Sequence, residues 1–414
     1  MSKRASSFLR WREIPLSVWA LGAVSLLMDL SSEMIHALLP LYLVTVFGVS
    51  MLTIGLIEGV AEATASIVKV FSGALSDWLG KRKFLAVLGH GLAAVTKPVF
   101  PLAPTIGWLM AARFVDRIGK GIRGAPRDAL IADLTPSELR GASFGLRQSL
   151  DTIGAFLGPL AAVGLMVLFA NDFTLVFWIA AIPAFLSLAV IVFAVSEPDR
   201  ASVTAPARSP LSRAELARLG RPFWLVVAVA AVFTLARFSE AFLLLRAQSV
   251  GLALALVPAV MVVMNVVYAA SAWPAGVLSD RVGRYGLLGA GLALLVVADV
   301  ILAFGTSIAT IAAGVALWGL HMGLTQGLLS TLVADTAPVE LRGTAFGMFN
   351  LVTGLATLFA SLIAGAMWDM LGPQGTFLGG AIFTALALVA LPTLRRKTPS
   401  ANSEGPSARN EGLG

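Results

Sequence analysis

Long apolar stretches, separated by short polar or Pro/Gly-containing turns, run along almost the whole 414-residue chain. Breaking these stretches at charge clusters and turns predicts twelve helices, since about 20 residues cross a bilayer. The predicted spans are 16–46, 51–76, 84–103, 105–133, 138–170, 173–195, 222–247, 252–278, 285–304, 307–334, 339–369 and 375–394. The pattern therefore predicts an all-α integral membrane protein with twelve transmembrane helices.

Composition narrows the possible functions. Only 13% of the residues are charged and 57% are hydrophobic, whereas charged residues supply about 25% of a soluble domain. An independent soluble enzyme domain is excluded. The chain has no Cys, so disulfides and thiolate metal sites are excluded as well. Its net charge of +7 comes from basic residues between the apolar stretches, where they orient the chain, and implies no nucleic-acid partner.

Lys and Arg cluster in alternate connections between the predicted spans. The connections near 80, 140, 200–221, 281–284 and 342 are basic, as are both ends of the chain, and the turns near 48, 104, 171, 250, 306 and 372 have no Lys or Arg. Because cytoplasmic loops carry the excess of Lys and Arg, this predicts cytoplasmic N- and C-termini, and we expect a bacterial inner-membrane location.

An internal repeat divides the chain in two. Residues 129–145, ALIADLTPSELRGASFG, and 331–347, TLVADTAPVELRGTAFG, are identical at ten of seventeen positions. The sequence predicts pseudo-symmetric six-helix bundles at 1–196 and 222–395, a cytoplasmic linker at 197–221 and a disordered cytoplasmic tail at 396–414. Parallel repeats with a binding site between them are a known transporter architecture.

A second repeated motif carries a family resemblance. The stretch GALSDWLGKR at 73–82 and its weaker copy GVLSDRVGRY at 276–285 resemble the signature of the major facilitator superfamily. That resemblance covers the whole chain and implies alternating access with small-solute movement. We assign a gate role to Gly73, Asp77, Gly80, Lys81, Arg82, Asp280 and Arg284. A carboxylate such as Asp77 can cap a neighbouring helix start; the alternative is that these charges only orient the chain.

Titratable residues within the first spans suggest proton coupling. Asp29, Glu33 and His36 have i, i+4, i+7 spacing and share one helix face. Partly desolvated groups of this kind are suited to proton exchange. The proton-coupling candidates are Asp29, Glu33, Glu58, Glu62 and Asp151. The alternatives are static ion pairs with buried arginines and an incomplete transition-metal site at Asp29, Glu33 and His36.

Other polar residues within the spans are candidates for a substrate cavity. They are His36, Arg113, Asp116, Arg117, Arg147, Arg237, Glu240, Asn265 and Gln326. The positive charge on the fourth span suits an anionic or zwitterionic solute. In the resembling family an Arg on this span is followed by Gln and Gly, positions that Asp116 and Arg117 occupy here.

The fifth span contains Gly154, Gly158 and Pro159, which resemble the family's antiporter signature G-x-x-x-G-P-x-x-G-G. Ala162 and Val163 replace its last two glycines. The resemblance favours export. A role in close helix packing alone explains the same residues.

The leading hypothesis is a secondary transporter, without enzymatic activity, that exports a drug or metabolite in exchange for protons. Proton-coupled uptake of an organic acid is the alternative within transport, and a transporter-like sensor without turnover is the alternative outside it. The expected partners are a small-molecule substrate, protons and the lipid bilayer, with a monomer as the functional unit. No cofactor and no metal are expected.

Overall fold

A computed structural model describes residues 13–79, 81–136, 139–196, 213–282, 284–338 and 341–397. Within these ranges the regular structure is helical, with no strand. The α-helices are α1 (Leu16–Thr45), α2 (Met51–Leu79), α3 (Arg82–Thr96), α4 (Val99–Leu102), α5 (Ile106–Leu134), α6 (Arg140–Leu168), α7 (Phe173–Ala194), α8 (Arg213–Arg218), α9 (Arg221–Leu235), α10 (Ala241–Ser249), α11 (Ala259–Val282), α12 (Arg284–Phe304), α13 (Ile308–Thr336) and α14 (Arg342–Lys397). We call residues before 197 the N-terminal half and residues after 212 the C-terminal half.

Nine helical segments of the described chain are long and apolar enough to cross a membrane, by length and composition. One of them, 344–389, has 46 residues, far more than one crossing requires. It lies within α14, which changes direction at Gly372, where φ is +74°. The strongly charged helix α5 and the pair α9 and α10 are not among the nine.

Two predicted spans are interrupted where we expected continuous helix. The predicted span 222–247 breaks between Leu235 and Ala241. The amide N–H of Ser239 donates to Ser361 Oγ at 3.2 Å, and that of Ala241 donates to Ser239 Oγ at 3.2 Å. Side-chain oxygens thus satisfy the backbone groups that the break releases. The predicted span 84–103 breaks at Pro98, which cannot donate a helical hydrogen bond.

The apolar core differs between the two ends of the molecule. We call the end with the turns at 46–50, 103–105 and 305–307 the outer end, and the end with the connections at 80–81 and 135–139 the basic end. Toward the outer end one buried cluster joins both halves, with Leu38 and Phe177 from the first and Phe242 and Trp318 from the second. Toward the basic end each half has its own cluster, around Leu21 or Phe223. Among the described residues, the buried cluster shared by both halves therefore lies toward the outer end, while toward the basic end the halves still touch where α2 meets α14, with Val70 beside Gly347.

Glycines allow close packing of α2 against α14 across the two halves. A Cβ at Gly55 would lie 2.1 Å from Ser361 O, and one at Gly365 would lie 2.4 Å from Met51 O. At the outer end of this interface, the Asp369 carboxylate accepts hydrogen bonds from the N–H groups of Met51 and Leu52, both at 2.9 Å. A carboxylate of the C-terminal half thus caps a helix of the N-terminal half.

Gly154 and Gly158 bring α6 against the acidic face of α1. A Cβ at Gly154 would lie 2.6 Å from Leu26 O and 3.0 Å from Asp29 Cβ. One at Gly158 would lie 2.6 Å from Glu33 Cβ. Pro159 lies within the same helix. These contacts position the backbone that carries Asp29 and Glu33.

Candidate functional site

A cavity of about 460 Å³ lies between the two halves, beneath the shared core. The N-terminal half contributes mainly charged side chains and the C-terminal half mainly aromatic and neutral polar ones. The lining residues are Glu33, His36, Glu58, Glu62, Ser66, Arg117, Lys120 and Ala155 from the first half, and Phe233, Thr234, Arg237, Phe238, Ser239, Glu240, Met261, Asn265, Gln326, Leu329, Phe349, Thr353, Gly354 and Thr357 from the second. The cavity is therefore chemically asymmetric.

One chain of titratable groups extends from the cavity into the N-terminal half. His36 Nδ1 lies 3.2 Å from Glu33 Oε2, and its Nε2 lies 3.4 Å from Glu58 Oε2. Arg113 Nη2 donates to the same Glu58 oxygen at 2.8 Å. Glu58 and Arg113 are buried, whereas Glu33 and His36 keep partial exposure. The imidazole therefore joins a half-buried carboxylate to a fully buried, ion-paired one.

A second chain follows α5. Arg117 Nη1 lies 3.1 Å from Glu62 Oε1, and its Nε lies 3.8 Å from Asp116 Oδ2. Lys97 Nζ donates to Asp116 Oδ1 at 2.9 Å and to Ser32 Oγ at 3.1 Å. Lys97, which directly follows α3, and Asp116 are at most 3% exposed, so their pair links the end of α3 to α5 behind the cavity wall. The Arg117–Glu62 pair links α5 to α2 in the wall itself.

A third cluster lies nearer the basic end. Arg147 forms ion pairs with Asp128, at 3.0 Å, and with Asp151, one helical turn away. Arg127 lies 3.6 Å from Asp151 and donates to Ser25 Oγ at 2.7 Å. Asp29 lies within electrostatic range of this cluster, but it makes no ion pair or hydrogen bond with a described side chain.

The helix break between α9 and α10 places Arg237 and Glu240 in the cavity wall. With the Gln326 amide turned so that its oxygen faces Arg237, that oxygen accepts from Nη2 at 3.0 Å and Nη1 at 3.3 Å, and the amide nitrogen donates to the Tyr268 hydroxyl at 3.1 Å. Asn265 Nδ2 donates to Ala155 O of the other half at 3.3 Å. A broken helix at this depth exposes polar groups only where they line a cavity.

The structure brings together most of the residues selected from the sequence, but not all of them. Glu33, His36, Glu58, Glu62, Arg117, Arg237, Glu240, Asn265 and Gln326 line the cavity. Arg113, Asp116 and Arg147, which we expected there, do not. Buried ion pairs engage Arg113 and Asp116, and partly exposed ion pairs engage Arg147, within the N-terminal half. Asp29 and Asp151 also lie away from the lining.

Sequence reasoning missed several lining residues. Lys120 follows Arg117 by three positions and so shares its helix face, a spacing that could have identified it. Thr353 and Thr357 are four positions apart on α14 and also share a helix face. Phe233 and Phe238 carry no comparable signal, because both resemble ordinary apolar span residues.

The predicted gate is only partly described. Lys81 is exposed, and Arg82 Nη1 donates to Ala129 O at 2.8 Å and to Asp133 Oδ2 at 2.6 Å. A Cβ at Gly73 would meet Ala125 Cβ at an ordinary 3.5 Å. Gly80 and the side chains of Asp77, Asp280 and Arg284 lie outside the described residues. In the described part of the chain, no group of three or more His, Asp and Glu residues could hold a metal ion.

The helical fold, the apolar segments and the charged central cavity define a multi-pass membrane protein with a site for a small molecule. The Major Facilitator Superfamily model matches residues 21–264 and 241–413. An uncharacterised MFS-type transporter of Methanocaldococcus jannaschii, MJ1317, is 34% identical over 385 residues, which are 91% of this chain and 94% of that protein. The chain therefore belongs to the Major Facilitator Superfamily, a family of transporters and not of enzymes.

Two further comparisons are narrower. The quinolone resistance protein NorA of Staphylococcus aureus is 29% identical over 133 residues, 32% of this chain and 34% of NorA. The crystal structure of the nucleoside transporter NupG superposes with a TM-score of 0.76 at 12% identity, over 93% of this chain and 100% of NupG. At that identity the second likeness concerns the fold alone.

Proposed function

We propose that this protein is a proton-coupled secondary transporter that exports a small solute by alternating access. The observation that carries the proposal is the Glu33–His36–Glu58 chain, in which a titratable path begins at a cavity shared by both halves. A transporter that exchanges solute for protons needs such groups beside the solute.

A twelve-span arrangement is part of this proposal. Nine apolar segments are evident in the described chain; the second arm of α14, the charged helix α5 and the broken pair α9 and α10 supply three more. The resulting units at 1–196 and 222–395 would each hold six spans, joined by the linker at 197–221. We propose that the monomer is the functional unit.

We further propose that the structure represents an inward-facing state. The apolar cluster shared by both halves lies toward the outer end, whereas toward the basic end each half has its own cluster and the halves touch where α2 meets α14. This distribution favours an opening at the basic end. The basic end faces the cytoplasm in this proposal, in line with the distribution of Lys and Arg. The motif residues Asp77 and Asp280 would then act at the gate that closes in the opposite state.

Proton exchange would involve Glu33 and His36 first, because these two side chains keep partial access to the cavity. Asp29 and Asp151 would extend the path toward the basic end. Glu58 is buried and paired with Arg113, which favours a structural ion pair. Glu62 pairs with Arg117 but is 36% exposed, so it would exchange protons together with Glu33 and His36.

Export is favoured by the partial antiporter signature at Gly154, Gly158 and Pro159 and by the short stretch similar to NorA, a quinolone resistance protein. Uptake of an organic acid is the second candidate, because the cationic Arg237 lines the cavity without a paired carboxylate among the described residues.

The proposal is tested in proteoliposomes with an imposed proton gradient and a solute identified by a screen in a strain lacking the protein. We expect Glu33→Gln or Asp29→Asn to abolish gradient-driven accumulation while solute exchange continues, because only the coupling step loses its proton carrier. Asp172→Asn serves as the control, since Asp172 caps α7 away from the cavity. Gradient-driven transport by both variants at the wild-type rate would contradict the role of α1, and binding without any flux would indicate a sensor.

A further inference from the structure

Arg237 is a cation in the cavity wall. It forms no ion pair with a described carboxylate. Its guanidinium group is held by the neutral amide oxygen of Gln326, at 3.0 and 3.3 Å. Glu240 lies within electrostatic range of Arg237, but the described residues include no ion pair between the two, and Glu240 also interacts with His36, Glu33 and Glu62 across the cavity.

Other buried arginines show what a purely structural role requires. Arg113 pairs with Glu58 at 2.8 Å, and Arg117 pairs with Glu62 at 3.1 Å. Arg246 makes no ion pair with a described residue, but its Nε and Nη2 donate to the carbonyls of Leu302 at 2.7 Å and Gly305 at 2.6 Å. A charge within a membrane is costly unless it is compensated. Arg237 has the neutral Gln326 amide oxygen as its acceptor and lines the cavity, so an anion that enters the cavity can bind it.

The surroundings of Arg237 indicate which kind of anion would bind there. A planar guanidinium binds the paired oxygens of a carboxylate or phosphate through two parallel hydrogen bonds. The same half lines the cavity with Phe233, Phe238, Met261 and Phe349, which suit an apolar body. The opposite wall carries charges of both signs, with Glu33 and Glu62 beside Arg117 and Lys120, and its Arg117 is already paired with Glu62 at 3.1 Å.

We infer that the solute is an organic anion whose carboxylate or phosphate oxygens bind Arg237 and whose apolar body packs against the aromatic side chains of the C-terminal half. This inference rests on the proposed transport function for its biological role, but it concerns binding alone. It applies equally to export and to uptake.

The test measures binding to the full-length protein in lipid nanodiscs by titration calorimetry. The probes are benzoate with its neutral isostere benzamide, phenyl phosphate with phenol, and the cation benzylamine. We expect at least one of the two anions to bind ten times or more tightly than its neutral partner and than benzylamine. The comparison of benzoate with phenyl phosphate identifies the preferred oxyanion.

Two variants test the role of the Arg237 charge in different ways. Arg237→Gln removes the cation, and Gln326→Glu keeps it but supplies the missing carboxylate beside it. Both should reduce the preference for the anion at least tenfold and leave the affinity of the neutral isostere within twofold. Arg237→Lys should retain part of the preference, and Arg218→Gln, at an exposed position, should retain all of it.

The inference is overturned if neither anion binds the wild-type protein more tightly than its neutral isostere, or if Gln326→Glu and Arg237→Gln bind the preferred anion as tightly as wild type does. Failure of the transport proposal is a separate result. Anion binding that depends on Arg237, without flux in proteoliposomes, would preserve the binding site and contradict the transporter. Flux of cations alone would preserve the transporter and contradict the anion site.

Discussion

The charged residues within the spans fall into two groups, which differ in burial and in ion pairing. Lys97, Asp116 and Arg113 are almost completely buried and paired, which costs much desolvation and gives a rigid support. Glu33, His36, Arg237 and Glu240 keep partial exposure in the cavity wall. We assign support to the first group and function to the second.

Arg147 is partly exposed, but its ion pairs with Asp128 and Asp151 give it a supporting role. Because the three side chains keep access to solvent, we expect Arg147→Ala to cost on the order of 1 kcal/mol or less. We expect a lower thermal unfolding temperature and a substrate Kd within twofold of wild type. Thermal denaturation and calorimetry check both, with Arg218→Ala as the surface control. A tenfold weaker Kd at unchanged stability would place Arg147 in the binding site after all.

Residue spacing explains part of this pattern and misses the rest. Glu33 and His36 could be assigned to one face because they lie on a single helix with regular periodicity. The partner of Arg113 could not be identified, because Glu58 lies on a different helix and the contact depends on how α2 and α5 pack.

At the scale of helices, small residues determine which surfaces approach closely. The glycines of α6 contact α1, and those of α2 and α14 contact one another across the two halves. The antiporter-like pattern in α6 identified Gly154 and Gly158 as packing residues from the sequence. No pattern distinguished Gly55 or Gly365, since glycines are frequent in membrane helices and only the interface shows which ones need to be small.

Gly158→Ala tests the α1–α6 contact. Its methyl group would lie 2.6 Å from Glu33 Cβ and 3.0 Å from Leu30 O, and such overpacking costs about 1–3 kcal/mol. We expect a lower unfolding temperature and reduced gradient-driven transport, because Glu33 is displaced. Gly164→Ala is the matched control on the same helix, where a Cβ meets no described atom within 4 Å. Equal unfolding temperatures for the two variants would contradict this packing role.

Asp369→Ala tests the cap that joins α14 to α2. Loss of a helix cap costs about 0.5–2 kcal/mol, so the population closed at the outer end should fall by about two- to thirtyfold relative to the open one. Because the chain has no Cys, a variant with both Val46→Cys and Leu371→Cys carries spin labels at these two positions alone. When Asp369→Ala is added, electron–electron distance measurements should show an additional, longer distance between the two labels.

The control for this variant is Asp172→Ala, which removes the cap of α7 within one half and should leave the distance distribution unchanged. An identical change in both variants would mean that the cap acts on helix stability and not on the contact between halves.

For the whole molecule, the distribution of apolar packing determines where water enters. One core joins the halves at the outer end, and each half has a separate core at the basic end. Solute and protons would therefore reach Glu33, His36 and Arg237 from the basic end in this state.

Thiol labelling tests that access route. Thr357→Cys lines the cavity, and we expect a membrane-impermeant maleimide to modify it when applied at the basic end and not at the outer end. Ser187→Cys, at a fully buried position on α7, should stay unmodified from both sides. Faster labelling of Thr357→Cys from the outer end would contradict an inward-facing state.

The sequence by itself was sufficient to predict a helical membrane protein, because each span must be apolar and satisfy its own backbone hydrogen bonds. The motifs at 73–82 and 276–285 added the resemblance to the major facilitator superfamily. It was also sufficient to place Glu33 and His36 on one face, since that relation lies within one helix. The tertiary structure alone decided which charges are neutralised, where the helix of Arg237 breaks, and toward which end the two halves share a buried apolar cluster. Those properties depend on contacts between distant segments: Glu58 reaches Arg113 and Asp369 reaches Met51 only after the helices have packed.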